Sequence, residues 1–148
     1  MKNSGILPAL ALGAVAGMRT FTAPAALAYK RSQTGPSSKT NRRLGVALGL
    51  AALAELAADK LPQIPARISP PALTGRALSG AYSGALVGGE KRGRRITGAI
   101  LGALAAVGAA YGMYHLRRFV VARTRLPDAV VAVAEDTAAV ALAFKAAA

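Results

Sequence analysis

The stretch ITGAILGALAAVGAAYGMYHL, residues 96–116, contains no Asp, Glu, Lys or Arg. A helix that crosses the hydrocarbon core of a bilayer needs roughly 20 mainly apolar residues. This stretch has that length, and it is apolar all round rather than along the single stripe typical of a helix in a soluble bundle. It therefore predicts a membrane-spanning helix.

Four further apolar stretches flank this segment, at 6–28, 44–60, 73–89 and 129–147. They are shorter or interrupted by polar residues, so they can span a bilayer only inside a bundle that shelters their polar groups. Between the first two lies a basic, Ser- and Gly-containing connection, 30–43, which is typical of a mobile loop. The prediction is a single all-α domain over 1–148: an integral membrane bundle of four to five closely packed helices, with one broken or re-entrant segment.

Composition agrees with a membrane bundle that has basic loops. The chain has 148 residues, 53% of them hydrophobic, with mean hydropathy +0.38 and a net charge of +13. Such a charge often indicates a nucleic-acid partner, but this apolar composition with no Trp and 5% aromatic residues argues against one. The absence of cysteine excludes disulfides and thiolate chemistry. A soluble bundle and a cleaved N-terminal signal ending near Ala28 are the alternatives.

Glycines recur four residues apart in the first four apolar stretches. In water a mid-helix Gly costs about 1 kcal/mol relative to Ala, whereas in a bilayer small residues let helix backbones approach closely. We expect these glycines to pack helices within the chain, with a homodimer contact as the alternative. They are Gly13, Gly17, Gly45, Gly49, Gly80, Gly84, Gly88, Gly98, Gly102, Gly108 and Gly112.

Basic residues form three clusters, at 30–43, 91–95 and 117–125. The positive-inside rule predicts that the first two clusters are cytoplasmic, where they would contact anionic lipid headgroups. The N-terminus would then lie outside, and the third cluster would emerge on the wrong side. Either the third stretch is re-entrant, the fourth does not fully cross, or the third cluster lies along the far interface.

Four of the six carboxylates lie inside apolar stretches, where an ionisable group costs a few kcal/mol and needs a partner or a wet cavity. We predict an intramembrane polar site, with structural salt bridges as the alternative. Its residues are Arg19, Glu55, Asp59, Lys60, Arg76, Glu135 and Asp136, with His115 and Arg118 as accessory residues. Glu55 and Asp59 share a helix face and would need a cation between them. No nucleotide or catalytic motif occurs, so no catalytic residue or cofactor is predicted, whereas a guanidinium, a metal ion and a shared proton are all open as the cation.

Three segments resemble the bacterial membrane family called domain of unknown function 4126. They are GMRTFTAP at 17–24, ELAADKLP at 55–62, and YHLRRFVVARTRLPDAVVAVAEDTAA at 114–139. The resemblance implies a multi-pass protein of the bacterial cytoplasmic membrane with a break in the first helix near Arg19. It also implies that the polar residues are features shared by the family. It implies no activity.

The function predicted from these features is a small transporter or channel-like protein whose polar site handles an ion, a proton or a small charged solute. The alternative is a membrane scaffold or assembly protein, in which the buried charges only pair helices and the basic loops hold anionic lipid. A lipid-modifying enzyme is less favoured, since no catalytic arrangement is recognisable.

Overall fold

A computed structural model describes residues 5–34, 38–58, 68–124 and 127–147. Its regular elements are all helical, so the all-α prediction is confirmed, but there are six helices in these ranges rather than four or five. They are α1 (Ile6–Met18), α2 (Thr22–Thr34), α3 (Ser38–Ala58), α4 (Pro70–Val87), α5 (Arg92–Thr124) and α6 (Asp128–Ala146). The extra helix arises because the segment predicted at 6–28 is broken into α1 and α2.

The chain reverses direction between α1 and α2. At the start of α1, a Cβ placed on Gly5 would clash with the backbone of Val87, at the end of α4. In the last turn of α2, Arg31 donates a hydrogen bond from Nη2 to the carbonyl of Leu86, at 3.1 Å. The beginning of α1 and the end of α2 therefore lie at the same end of the molecule. Each helix has 13 residues, or about 20 Å of length, so the two form a hairpin.

Glycines bring α1, α4 and α5 into backbone contact. A Cβ on Gly84 would lie less than 3.0 Å from the carbonyl of Gly98, and one on Gly13 would approach Gly102 as closely. These pairs make α4 antiparallel to α5, and α1 parallel to α5. The glycines placed at such contacts are Gly13, Gly17, Gly80, Gly84, Gly88, Gly98 and Gly102.

The remaining predicted packing glycines differ. Gly45 makes an ordinary contact with α2, since its Cβ would lie 3.4 Å from the nitrogen of Tyr29. For Gly49, Gly108 and Gly112, no heavy atom of another described element lies within 4 Å of a built Cβ. The prediction that they pack helices within the chain is therefore not met, because spacing by four occurs on exposed faces as well as buried ones.

Two outer helices complete the bundle. α3 packs against α2 alone among the described helices and runs antiparallel to it. α6 lies against α1 and α2, and its Phe144 ring meets the edge of Tyr29 with 5.8 Å between centroids. Earlier in α6, Asp136 contacts Arg19, which precedes α2, so α6 runs in the same direction as α2.

We call the two ends of the bundle the basic end and the distal end. The basic end holds the start of α1, the end of α2, the start of α3, the α4–α5 turn and the end of α6. It carries Lys30, Arg31, Lys39, Arg42, Arg43, Lys91, Arg92, Arg94, Arg95 and Lys145. The start of α1 therefore lies on the same side as the first two basic clusters, whereas the prediction placed the beginning of the chain opposite to them; the reason is that α2 returns to the end where α1 begins.

Two further predictions are corrected. The connection at 30–43 is helical over most of its length, since α2 continues to Thr34 and α3 begins at Ser38. The third apolar stretch is not re-entrant, because α4 runs from the distal end to Val87 at the basic end. The hairpin belongs instead to the first stretch, where Pro24 makes a continuous helix unfavourable.

The buried side chains are mostly small, with a few polar ones among them, whereas many of the exposed side chains are large and apolar. Most buried apolar residues are alanines, and the buried polar residues are Arg19, Arg76, Ser83 and Glu135. Every described helix exposes large hydrophobic side chains, such as Leu7, Leu50, Leu78, Leu104 and Val133.

Among the described helices, α5 alone is long and apolar enough to cross a membrane by length and composition. It has 33 residues, and its most apolar window has a mean hydropathy of 1.7 with 22% of that window buried. α1 is apolar but shorter. Most residues of that window of α5 are thus not fully buried by the described part of the chain.

Candidate functional site

The break between α1 and α2 is the centre of the candidate site. Arg19 has extended backbone angles, φ −144° and ψ 118°, and ends α1. Pro24 stands in the first turn of α2, where proline is tolerated, but in a continuous helix its ring would clash with the carbonyl of Thr20. The broken helix leaves carbonyls at the end of α1 and N–H groups at the start of α2 without helical partners.

Two side chains of α4 supply donors to the free carbonyls. The guanidinium of Arg76 is buried and donates from Nη1 to the carbonyl of Gly17, at 2.7 Å. One turn later on the same face, the hydroxyl of Ser79 donates to the carbonyl of Thr20. Both partners lie 59 residues away in sequence, so α4 is tied to the break by side chain-to-backbone contacts.

The carboxylate of Glu55, on α3, accepts hydrogen bonds from the other side of the break. Its Oε1 accepts from the backbone nitrogen of Thr20 at 3.0 Å and from the hydroxyl of Thr20 at 2.9 Å. Its Oε2 accepts from the backbone nitrogen of Phe21 at 3.3 Å. A negative charge at a helix N-terminus is also favoured by the helix dipole. Glu55 thus acts as an N-terminal cap supplied by another helix.

Arg19 links the break to α6. Its side chain is 4% exposed, its Nε donates to Oδ1 of Asp136 at 2.6 Å, and its Nη2 contacts the same oxygen. The neighbouring carboxylate, Glu135, is 2% exposed in its side chain, and its Oε2 lies 3.9 Å from Nη1 of Arg117 on α5. Adjacent residues of α6 therefore face two different arginines.

The structure brings together four of the residues predicted for the polar site. We call them, with the two polar residues that join them, the break cluster: Arg19, Thr20, Glu55, Arg76, Ser79 and Asp136. Glu135 is placed beside it on α6. Asp59 and Lys60 lie outside the described residues.

Sequence analysis missed Thr20, Ser79 and Arg117. The position of Ser79 three residues after Arg76 was a usable signal, because residues at that spacing share a helix face. Thr20 contributes mainly through its backbone groups, which residue type does not reveal. Arg117 was assigned to a basic cluster rather than to a pair with Glu135, because their contact depends on how α5 and α6 meet.

The predicted accessory residues are placed elsewhere. His115 meets the edge of the Tyr114 ring with 5.3 Å between centroids, and Arg118 lies over the same ring at 5.7 Å. Both are exposed, on a part of α5 beyond Ala109, which contacts Gly17 beside the break. They form an arginine–aromatic group at the distal end with Arg123, which lies 5.0 Å from the centre of the Phe119 ring.

An open groove of about 480 Å³ reaches the break from the side, between α3 and α4. Its lining is mainly apolar, with Thr20 and Ser79 of the break cluster at its floor. The lining residues are Thr20, Phe21, Pro24, Leu44, Leu48, Gly75, Leu78, Ser79 and Tyr82. Through this groove, a small solute in the surroundings can approach the N-terminus of α2.

Within the described ranges, no three His, Asp or Glu side chains gather in a way that could hold a metal ion. Comparison with family models, with curated proteins and with solved structures gives no match. The break cluster must therefore be interpreted from its own geometry.

Proposed function

We propose that this chain is a multi-pass protein of the bacterial cytoplasmic membrane, and that it acts as a small transporter or channel-like protein. The break cluster is the proposed site for an ion, a proton or a small charged solute. One observation carries the proposal: charged side chains from three helices converge on a broken helix inside a bundle whose outer surface is apolar.

The distribution of side-chain size supports the membrane environment. Water would drive large apolar side chains inwards, yet here nine of the thirteen buried apolar residues are alanines, and each of the six described helices exposes at least one large apolar side chain. In lipid no such drive exists between helices, and small residues allow close packing instead. The low burial of α5 also argues against its being the core helix of a soluble protein.

In the proposed membrane orientation, the basic end is cytoplasmic, as the positive-inside rule favours. The α1–α2 hairpin then enters from the cytoplasmic side and returns to it. Its tip, at Arg19, lies about 20 Å deep, near the middle of a hydrocarbon core about 30 Å thick. Broken helices with exposed half-helix ends at that depth are the usual substrate and ion sites of transporters.

The third basic cluster falls at the far interface in this orientation. Arg118 and Arg123 lie over aromatic rings there, and interfacial aromatic residues are typical of membrane proteins. Among the three alternatives for the misplaced cluster, this arrangement favours the one in which it lies along the far interface.

The contacts favour a small anion as the solute. Near the break the formal charges balance among the described residues, with Arg19, Arg76 and Arg117 against three carboxylates. A helix N-terminus is a natural anion site, and at α2 this position is occupied by the carboxylate of Glu55. An anion that enters through the lateral groove would exchange with that carboxylate.

A scaffold or assembly protein is the second candidate, and one observation favours it. Arg76, Ser79 and Glu55 each hydrogen-bond a backbone group at the break. The charges would then serve only to make a broken helix tolerable in lipid.

Two further expectations stay predictions. They are membership of the family called domain of unknown function 4126, and a homodimer through the exposed glycine face of α5.

Flux measurements in proteoliposomes test the proposed transport. Purified protein would be reconstituted and tested with chloride, phosphate, acetate, potassium and protons, beside Arg19→Ala, Glu55→Gln and the control Glu90→Gln. We expect anion uptake, its loss in Arg19→Ala, at least a fivefold change in Glu55→Gln, and no change in Glu90→Gln. If folded wild-type protein moves none of these solutes, transport is refuted and the scaffold candidate stands.

Cysteine labelling tests the proposed orientation, because the native chain has no cysteine. Single variants Lys39→Cys, Arg94→Cys and Lys145→Cys should react with a membrane-impermeant reagent from the cytoplasmic side only. Arg123→Cys should react from the other side only. Labelling of Lys145→Cys from the side opposite to Lys39→Cys would contradict the orientation.

A further inference from the structure

A second polar site lies at the basic end, between the last turns of α2 and the first turns of α3. The cavity there has a volume of about 660 Å³. It is lined by Tyr29, Ser32, Gln33, Lys39, Arg42, Gly45 and Val46. A neighbouring cavity of about 500 Å³ shares Lys39, Arg42 and Val46 with it and extends along α3 to Leu50. We call the combined depression the α2–α3 groove.

The cations of the α2–α3 groove are Lys39 and Arg42, which line both cavities, and Arg43, which lines the second. Neither Lys39 nor Arg42 forms a hydrogen bond or ion pair with any other residue in the described part of the chain. Arg31, by contrast, is engaged with the carbonyl of Leu86 at the C-terminus of α4. Among the described residues that line the two cavities there is no carboxylate. The paired cations are therefore available to an anion, and phosphate oxygens suit the arginine fork and the lysine ammonium.

The part of the groove that runs along α3 from Val46 to Leu50 is apolar. Val46 and Leu50 are 58% and 62% exposed, and α3 has no neighbour but α2 among the described helices. From Lys39 to Leu50 the helix rises about 17 Å. Such a groove, cationic at one end and apolar along the rest, matches a molecule with an anionic head and a hydrocarbon tail.

The walls of the groove are held in place by packing. Tyr29 is supported by its edge contact with Phe144 of α6. Gly45 of α3 lies beside α2, since a Cβ built on it would be in ordinary contact, 3.4 Å, with the backbone nitrogen of Tyr29. The shape of the first cavity therefore depends on helices α2, α3 and α6 and not only on flexible surface side chains.

We propose that the α2–α3 groove binds one anionic phospholipid, with its phosphate between Lys39 and Arg42 and an acyl chain along Val46 and Leu50. A zwitterionic lipid is disfavoured, because its ammonium group would face two cations. Free phosphate would leave the apolar part of the groove unused. The inference rests on the proposed membrane location but not on the proposed transport.

The test uses the full chain, purified in detergent micelles, with native mass spectrometry to count bound lipid. The probes are phosphatidylglycerol and phosphatidylcholine with identical acyl chains, together with glycerol phosphate and inorganic phosphate as soluble arms. We expect one phosphatidylglycerol to bind at least tenfold more tightly than phosphatidylcholine, and the soluble probes to bind far more weakly than the lipid.

Variants locate the binding site. Because one near-surface cation contributes about 1 kcal/mol, or about fivefold in affinity, Lys39→Ala with Arg42→Ala should weaken phosphatidylglycerol binding about 25-fold. The matched pair Lys91→Ala with Arg92→Ala removes the same charges from the same end and should leave binding within twofold. Both pairs are exposed, and circular dichroism would check the fold.

Three results would overturn the proposal: equal binding of the two lipids, equal loss in the two variant pairs, or soluble phosphate binding as tight as that of the lipid. If the variant with Lys39→Ala and Arg42→Ala still transports solute in proteoliposomes, the loss of lipid binding has not disturbed the break cluster. Failure of lipid binding and failure of the transport proposal are thus measured separately.

Discussion

The capping of α2 by Glu55 gives the sharpest stability prediction. In Glu55→Ala, the backbone N–H groups of Thr20 and Phe21 lose their acceptor, at 3.0 and 3.3 Å, and the hydroxyl of Thr20 loses one at 2.9 Å. The N–H of Thr20 is partly buried, and leaving such a group without a partner costs about 1–3 kcal/mol, whereas the N–H of Phe21 is exposed and can bond water instead. The threonine hydroxyl can rotate to another acceptor, so it adds little. With the negative charge at the start of α2, which contributes about 0.3–1 kcal/mol, also lost, we expect the free energy of unfolding to fall by about 1.5–4 kcal/mol.

A conservative substitution separates the hydrogen bonds from the charge. Glu55→Gln keeps an oxygen acceptor but loses the negative charge at the N-terminus of α2. Interaction of a carboxylate with a helix N-terminus contributes about 0.3–1 kcal/mol, and up to about 2 kcal/mol when it is partly buried. Glu55→Gln should therefore cost about 1 kcal/mol, clearly less than Glu55→Ala.

Reversible unfolding by sodium dodecyl sulfate in mixed micelles, followed by circular dichroism, would measure these differences. Glu90→Ala is the matched control, since Glu90 is an exposed carboxylate at the basic end, and it should stay within about 0.5 kcal/mol of the wild type. If Glu55→Ala is as stable as the wild type, or if Glu55→Gln and Glu55→Ala are equally destabilised, the capping argument is wrong.

Three further predictions concern packing and pairing and use the same unfolding assay. Gly84→Ala should cost about 1–3 kcal/mol because its Cβ would overlap the carbonyl of Gly98, whereas Gly108→Ala, in open space, should be neutral or stabilising; equal effects would contradict the packing. Arg19→Leu should cost about 3–5 kcal/mol by leaving Asp136 unpaired, and Arg19→Leu with Asp136→Leu should recover much of that loss; no recovery would count against the pair. Gly89→Ala should cost about 1–2 kcal/mol because Gly89 has φ 109° in the α4–α5 turn, whereas Gly93→Ala, which has open space on α5, should not destabilise; an unchanged stability of Gly89→Ala would contradict the turn geometry.

Much of the candidate site was predictable from the positions of ionisable residues within the apolar stretches. Arg19, Glu55, Arg76 and Asp136 are ionisable residues in apolar stretches, and burial of such groups demands partners. The sequence could not pair them, because Arg19 and Asp136 are separated by 117 residues and Thr20 and Glu55 by 35. Those pairings depend on which helices become neighbours.

The glycine pattern illustrates the same division. Spacing by four places Gly98, Gly102, Gly108 and Gly112 on α5 in equivalent local settings. Only the first two meet the backbone of α4, because Gly108 follows Gly102 by six residues, about 240° further around the helix axis, so the second pair lies on a different face. Local spacing identifies a face that can pack closely, and the partner helix decides whether it does.

By itself, the sequence determined the helical class, the apolar segments, the basic clusters and the presence of buried charge, since these follow from residue type and local periodicity. It also marked the break, because Pro24 is incompatible with a helix that continues through residue 20. Only the tertiary structure decided that α2 turns back beside α1, so that the start of α1 joins the basic end. The physical reason is that this direction is fixed by contacts with α4 and α6, such as Arg31 with Leu86 and Tyr29 with Phe144, which no local pattern contains.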